Sequence, residues 1–331
     1  MKKAIYLFSN GELSRKDSNI YFVGEDKKKQ FIPVEQVREI YVFGEVSITK
    51  KLLEFLGRQG IIIHFYDFHE RYVGSFYPKE HLNAGILTLK QAEHYLDNDR
   101  RINLARKFVD GLGKNMVKVL EYYINRGLPL EDVKNKILIK AEHIERVNSV
   151  ERLITLEGNL WEEYYKSFDV IIRNPDFVFV TRSRRPPENR LNALISFGNS
   201  LLYSVVLTEI FKTHLDPRIG FLHTTNYRRF ALNLDISEIF KPIIVDRLIF
   251  QLLNKKILKA SHFDEALNGI TLNEEGSKIF VKFWEEKLNS TISHPTIGEN
   301  ISYRRLIRIE LYKLERHLLG EKEYTPFVGR W

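Results

Sequence analysis

Residues 220–247 read GFLHTTNYRRFALNLDISEIFKPIIVDR, in which His223, Asp235, Glu238 and Asp246 are set among Leu232, Leu234, Ile236, Ile239, Ile243 and Val245. At helical spacing of about 100° per residue, positions 235, 238 and 246 fall inside roughly an 80° arc, so three carboxylates share one stripe of an apolar segment. Burying carboxylates side by side is costly unless a cation offsets their charge. A divalent metal is such a cation, and a histidine just upstream supplies the other kind of ligand it accepts. Asp235-x-x-Glu238 also reads as a helix capping box, with Asp235 bonding a free amide and Glu238 reaching back. Capping accounts for neither Asp246 nor His223, and Pro242 is expected to kink any helix that runs through it.

A second chemical signal lies upstream. From Val147 through Val150, Ile154, Trp161, Tyr164 and Phe168, apolar residues step by three or four, and Glu157 stands where the series calls for a hydrophobe, followed by Gly158. A glutamate on such a stripe needs a proton, a metal or an arginine partner. Between the two signals runs TRSRRPPENR, residues 181–190, with Arg182, Arg184, Arg185 and Arg190 against the single acid Glu188. Pro186-Pro187 forbids helix there, so these arginines belong to an extended loop that can lie along phosphates. Arg228, Arg229 and Arg247 join them as candidate DNA contacts, and Arg304, Arg305 and Arg308 form a further basic face. Arginine beside acidic metal ligands suits phosphodiester chemistry, in which a metal activates the nucleophile and guanidinium groups hold the backbone.

Composition narrows the choices. The chain has 331 residues, 44% of them hydrophobic, enough for two domains with a sizeable core. A net charge of +8 favours a polyanionic partner. With no cysteine, disulfides, thiolate metal sites and cysteine nucleophiles are excluded, so any metal must sit on His, Asp or Glu. The apolar run near the N-terminus is too short for a signal sequence and no stretch reads as a membrane span, which places the protein in the cytoplasm, away from membranes.

The elements that must position these groups divide into two kinds. Residues 1–85 read as strands at 4–8, 19–23, 30–33, 39–43, 61–65 and 72–76 with one helix at 49–59, a β-sandwich-like domain. Its charge is nearly balanced, and His64 and His69 read as structural strand histidines. Residues 86–95 are expected to link this domain to an all-α catalytic, DNA-binding domain over 96–331, so the fold class is α+β. The helices expected there are 89–98, 103–125, 130–141, 143–168, 189–214, 236–256, 262–267, 274–288 and 302–319.

Taken together these segments resemble a known family. Glu157-Gly158 in a helix, the Arg-Pro-Pro loop followed by Asn192-Ala193-Leu194, then Gly220-Phe221-Leu222-His223, Leu234-Asp235-Ile236-Ser237-Glu238-Ile239-Phe240-Lys241-Pro242 and Val245-Asp246-Arg247 are similar to the CRISPR-associated integrase family, the catalytic subunit of spacer acquisition. Val42-Phe43-Gly44 and Tyr324-Thr325-Pro326-Phe327 extend the resemblance along the whole chain. It implies a metal site of Glu157, His223 and Glu238 holding Mg²⁺ or Mn²⁺, with Asp235 an auxiliary acid. Many relatives have aspartate at the Glu238 position and tyrosine at the Asn199 position. The activity implied is metal-dependent endonuclease and integrase chemistry: a 3′-hydroxyl of a short spacer-precursor fragment attacks a phosphodiester at the border of a CRISPR repeat. The partners implied are DNA, a second copy of the chain in a homodimer, and a small second adaptation subunit. Two other readings compete: a general metal-dependent nuclease for branched DNA repair intermediates, and a non-catalytic nucleic-acid scaffold in which Asp235 and Glu238 cap a helix and Glu157 pairs with an arginine.

Overall fold

In a computed structural model of the chain, which describes all residues except 1, 26, 80–81, 83, 185, 224–229, 267–268, 294–297 and 331, the contacts divide into two units, 1–81 and 82–331. The first unit is built from β1 (Lys3–Leu7), β2 (Gly11–Lys16), β3 (Asn19–Gly24), β4 (Lys29–Pro33), β5 (Val37–Val42), β6 (Val46–Ile48), α1 (Lys50–Gln59), β7 (Ile62–Tyr66) and β8 (Tyr72–Phe76). Two four-stranded sheets form, in the orders β1-β5-β7-β8 and β4-β3-β2-β6. In the first, β1, β5 and β7 run parallel and β8 closes the edge antiparallel. Leu13, Ile20, Val37, Ile40, Leu52, Leu56 and Ile63 make the core of this unit. Thr49 starts α1 by accepting from Leu52 N, which satisfies one of the amides a helix start leaves free. Strands β2 and β6 are additions to the expected set. In β2, GELSRK, only Leu13 is fully buried, so the alternation that marks a half-buried strand is almost absent from its sequence. His64 is structural: it is buried and its Nδ1 lies 2.7 Å from Ser75 Oγ.

The second unit comprises α2 (Gly85–Leu96), α3 (Asn98–Ile124), α4 (Glu131–Ala141), α5 (Val150–Tyr165), α6 (Phe168–Ile172), α7 (Arg190–Phe211), α8 (Leu232–Phe240), a π-helical segment Lys241–Asp246, α9 (Arg247–Asn254), β9 (Phe263–Ala266), β10 (Gly269–Leu272), α10 (Glu274–Asn289), β11 (Thr291–Ser293), β12 (Asn300–Ser302) and α11 (Tyr303–Leu318). The long α3 is the spine, packed against α4, α5, α8 and the π segment. Helix α7 is long and apolar enough to cross a membrane by length and composition, contrary to the sequence reading, and most of that stretch is buried within the unit.

Three boundaries differ from expectation for identifiable reasons. The expected linker 86–95 is the body of α2, which packs on α3 and α11 through buried Leu87, Gln91 and His94. The single helix expected over 143–168 begins only at Val150, because Ser149 caps it by accepting from Arg152 N, and α6 restarts after a break at Ser167. Within 262–267, expected as helix, Phe263–Ala266 form β9, paired antiparallel with β10, and Leu267 lies outside the described residues. Gly269 has φ +110°, and a Cβ there would lie 2.5 Å from Pro186 Cβ, so only glycine lets this hairpin seat against the Arg-Pro-Pro loop. Ile270 N completes that contact by donating to Pro187 O at 2.9 Å.

Candidate metal centre

Asp235 is the fourth residue of α8 and is fully buried. The helix starts on Ala231 without a side-chain cap, so the capping-box reading of Asp235 and Glu238 is set aside. Asp235 instead anchors the preceding loop: Oδ2 accepts from Phe221 N (2.6 Å) and Leu222 N (3.0 Å), while Oδ1 accepts from His223 N (2.9 Å) and lies 2.8 Å from His223 Nδ1. Gly220 permits this closeness, since a Cβ there would meet Asp235 Oδ2 at 2.9 Å. Two further side chains hold the loop from α2 and α3. Gln91 bonds Asp216 N at 2.7 Å and the carbonyls of Asp216 and Ile219, and Arg101 Nε donates to Phe221 O at 3.1 Å.

A carboxylate at Nδ1 fixes the imidazole with its proton on that nitrogen and its lone pair on Nε2, the arrangement common to metal-ligating histidines. Burial pulls the His223 pKa down, but the hydrogen bond and charge of Asp235, with Glu238, leave it above its ordinary value.

Glu238 lies one turn further along α8 and is buried. Its Oε2 accepts from Trp161 Nε1 at 3.1 Å and its Oε1 from the Lys241 ammonium. Trp161 stands four residues after Glu157 on α5, so α5 presents both to the same neighbour. Glu157 is partly buried and close enough to Glu238 to feel its charge; burial, then the charge of Glu238, push its pKa up to about 7 against the pull of Lys241 and His223. For Glu238, burial alone would raise the pKa, and the charges of Lys241 and His223 hold it below its ordinary value instead. Among the described residues no arginine pairs with Glu157; the charged groups acting on it are Glu238, Lys241 and His223.

Lys241 and Trp161 carried no assigned role in the sequence. A lysine inside Ile239-Phe240-Lys241-Pro242-Ile243 was the available signal, because a cation in so apolar a run must be paired. Its ammonium lies 5.7 Å from the Trp161 ring centre and 5.2 Å from that of Tyr203. Pro242 is the second residue of the π segment Lys241–Asp246. Having no N–H, it forces the i→i+5 register of the π segment, which adds about one residue to the turn. Asp246 ends that segment fully buried, with Oδ2 lacking a hydrogen-bond partner among the described residues; burial raises its pKa well above the ordinary range although Lys241 and Arg182 oppose this.

Among the described residues no three His, Asp or Glu side chains already form a metal cage. The donor chemistry nevertheless fits a hard divalent ion. The Glu157 and Glu238 carboxyl groups repel one another where burial weakens hydration, so the pair favours a proton or an added cation, and a tautomer-fixed imidazole acts on both.

The arginines proposed as DNA contacts separate. Arg182 is turned inward, donating to Asn192 Oδ1 and Ser196 Oγ, both at 3.0 Å. Arg190 pairs with Glu265 at 2.6 Å, and Arg247 lies 4.8 Å over the Tyr122 ring. Arg184 is exposed, whereas Arg185, Arg228 and Arg229 lie outside the described residues. Of the basic face on α11, Arg304 pairs with Glu285 and Arg308 with Glu209, leaving Arg305 exposed.

Comparison with known proteins places this geometry in context. The family profile described as "CRISPR associated protein Cas1" matches residues 5–286. A protein of Thermodesulfovibrio yellowstonii named CRISPR-associated endonuclease Cas1 2 is 55% identical over 331 residues, covering 100% of both chains. The solved structure of a Cas1 protein from Thermotoga maritima superposes with a TM-score of 0.88 at 45% identity, covering 98% of this chain and 100% of that one. A casposase bound to integration product shares the fold, with a TM-score of 0.89 at 20% identity over 99% of this chain and 93% of that one.

Proposed function

The chain belongs to the CRISPR-associated Cas1 family, and from that premise we propose that it is a metal-dependent nuclease and integrase of CRISPR adaptation, joining 3′-hydroxyl ends of short DNA fragments to the CRISPR repeat by transesterification. The observation that carries this reading is the buried carboxylate Asp235 holding His223 by its backbone amide and by Nδ1, with the Glu157 and Glu238 carboxyl groups acting on one another beside it. Glu157, Glu238 and His223 would hold Mg²⁺ or Mn²⁺. Such an ion supplies Lewis acidity, lowering the pKa of the attacking hydroxyl and neutralising charge on the phosphate.

The chain's own residues do the rest. Asp235 keeps Nε2 of His223 available as a donor, Trp161 and Lys241 fix the two oxygens of Glu238, and Arg184 is exposed where it can meet a phosphate. In the transfer one O3′–P bond forms as another breaks, so the number of phosphodiesters is unchanged and no external energy source is needed. With water in place of the hydroxyl, the same site hydrolyses DNA. The reading includes a homodimer and a small second adaptation subunit acting in the cytoplasm.

Strand transfer into a supercoiled repeat-containing plasmid, with the second subunit added, is expected to require Mg²⁺ or Mn²⁺, a free 3′-hydroxyl and Glu157. Equal transfer into scrambled DNA would replace this reading with a general nuclease for branched DNA, and product from Glu157→Ala would end the metal-site assignment. For the Arg-Pro-Pro loop, Arg184→Ala with Arg185→Ala is expected to weaken duplex binding and to flatten the plot of log affinity against log salt by about 1 for each phosphate that the loop no longer neutralises. An unchanged slope would put both arginines off the DNA path.

A further inference from the structure

Residues 321–330 form no helix or strand, yet Tyr324 is fully buried and Phe327 is 5% exposed. Two buried polar side chains outside the metal centre account for this. Glu310 on α11 accepts from Tyr324 OH at 2.6 Å and Phe327 N at 3.0 Å through Oε1, and from Lys313 at 2.7 Å through Oε2. Asn115 on α3, fully buried, donates through Nδ2 to Phe327 O and to Ile239 O, both at 2.9 Å, while its Oδ1 accepts from Gly329 N at 2.8 Å.

Ile239 is the residue after Glu238, at the junction where α8 gives way to the π segment. The apolar contacts converge on the same place. The Phe327 ring stacks on Phe240 with centres 6.3 Å apart. Gly111 on α3 gives room for both sides: a Cβ there would lie 2.7 Å from Pro326 Cβ and 3.4 Å from Ile239 Cγ1.

We infer that the segment 321–330 is a strap that, through Asn115, positions the α8–π junction and so sets where the Glu238 carboxylate stands. Asn115, Tyr324 and Phe327 are positioning residues for the metal centre. The physical reason is the change of register at Pro242. A helix switching from i→i+4 to i→i+5 bonding can place the switch a residue earlier or later, and a side-chain donor bound to the Ile239 carbonyl selects one placement. Partners that orient ligands in this way commonly change metal affinity by about 10- to 100-fold. The inference rests on the reading of Glu238 as a metal ligand, and its test separates the two.

In the full chain, Asn115→Asp keeps the side-chain shape and removes both donors, and Tyr324→Phe removes one of the strap's two bonds to Glu310 while leaving Asn115 intact. Two quantities are measured: the Mn²⁺ dissociation constant by electron paramagnetic resonance, and hydrogen exchange of peptides covering residues 232–246. For Asn115→Asp the dissociation constant is expected to rise at least about tenfold, with faster exchange confined to 232–246. Tyr324→Phe is expected to show the same pattern at about threefold. A folded Asn115→Asp with wild-type Mn²⁺ binding and exchange overturns the inference, and so does exchange that quickens evenly across the helical unit. Should Asn115→Asp fail to fold, wild-type exchange at 232–246 in Tyr324→Phe overturns it. If the wild-type chain binds no Mn²⁺, the metal-site reading falls, and exchange at 232–246 alone decides the strap.

Discussion

Glu157→Gln is expected to reduce strand transfer at least roughly 10³-fold, equivalent to about 4 kcal/mol of transition-state stabilisation, and at the same time to make the metal-free protein more stable above neutral pH. Both effects come from one carboxyl group. Burial and the charge of Glu238 push the Glu157 pKa up from 4.5 to about 7. Between those values the folded chain holds a proton that the unfolded chain has released, so stability falls as pH rises through this window and levels off above about 7. The cost at the plateau is on the order of a few kcal/mol. Glutamine has no proton to lose, and its variant should show a flatter stability–pH curve from pH 5 to 8 in EDTA. Mn²⁺ should raise the melting temperature of the wild type and leave that of the variant nearly unmoved, because only a bound ligand stabilises by mass action. Equal stability–pH curves for the two proteins would show that Glu157 is not held against a second charge.

Asp235→Ala should produce the second large effect, with activity and stability falling together. The substitution strands the buried amides of Phe221 and Leu222 and the partly buried amide of His223, and leaves the imidazole without its anchor. A buried donor left unmet costs about 1–3 kcal/mol, so a loss on the order of 3–6 kcal/mol in urea unfolding is expected. The His223 pKa should drop, since burial alone pulls it down and Asp235 is the main counterweight. In the wild type this raised value gives a stability contribution that is complete below the ordinary histidine pKa of 6.5 and is lost as pH rises through the folded value. Strand transfer should fall at least about 10²-fold, because a ligand free to rotate spends little time in the productive orientation. A stability within about 1 kcal/mol of wild type would falsify the anchoring role, given the number of bonds removed.

The contrast between these residues shows how far the amino-acid order carries. Gly-x-x-His, the Asp-x-x-Glu pair and Glu157-Gly158 are local patterns whose residue types suit a hard metal ion, and the period of the flanking apolar residues places the Glu238 and Glu157 patterns on helices. Most strands and helices are legible for the same reason, since burial on one face writes its period into the chain. Strand β2 is not, because five polar or small residues surround its single buried Leu13. Helix α2 is legible only in part, as a helix from 89 inside a supposed linker, because its outward positions Ile86, Leu89 and Leu96 are apolar and exposed, which blurs the contrast between faces that identifies a packed helix.

What the sequence determined by itself is therefore the family, the α+β division and the kinds of group available for chemistry, all of which depend on residue type and short-range spacing. Tertiary structure alone decided which group meets which. It made Asp235 the anchor of a loop and not a helix cap, gave Glu157 a second carboxylate for a neighbour in place of an arginine, and turned Arg182 inward. It also bound Asn115 to a carbonyl next to Glu238 and to the chain's last turn of backbone, more than 200 positions away. A carboxylate or carboxamide can bond any donor or acceptor of the right geometry. Its partner is fixed only when packing brings distant segments together and excludes the water that would otherwise compete.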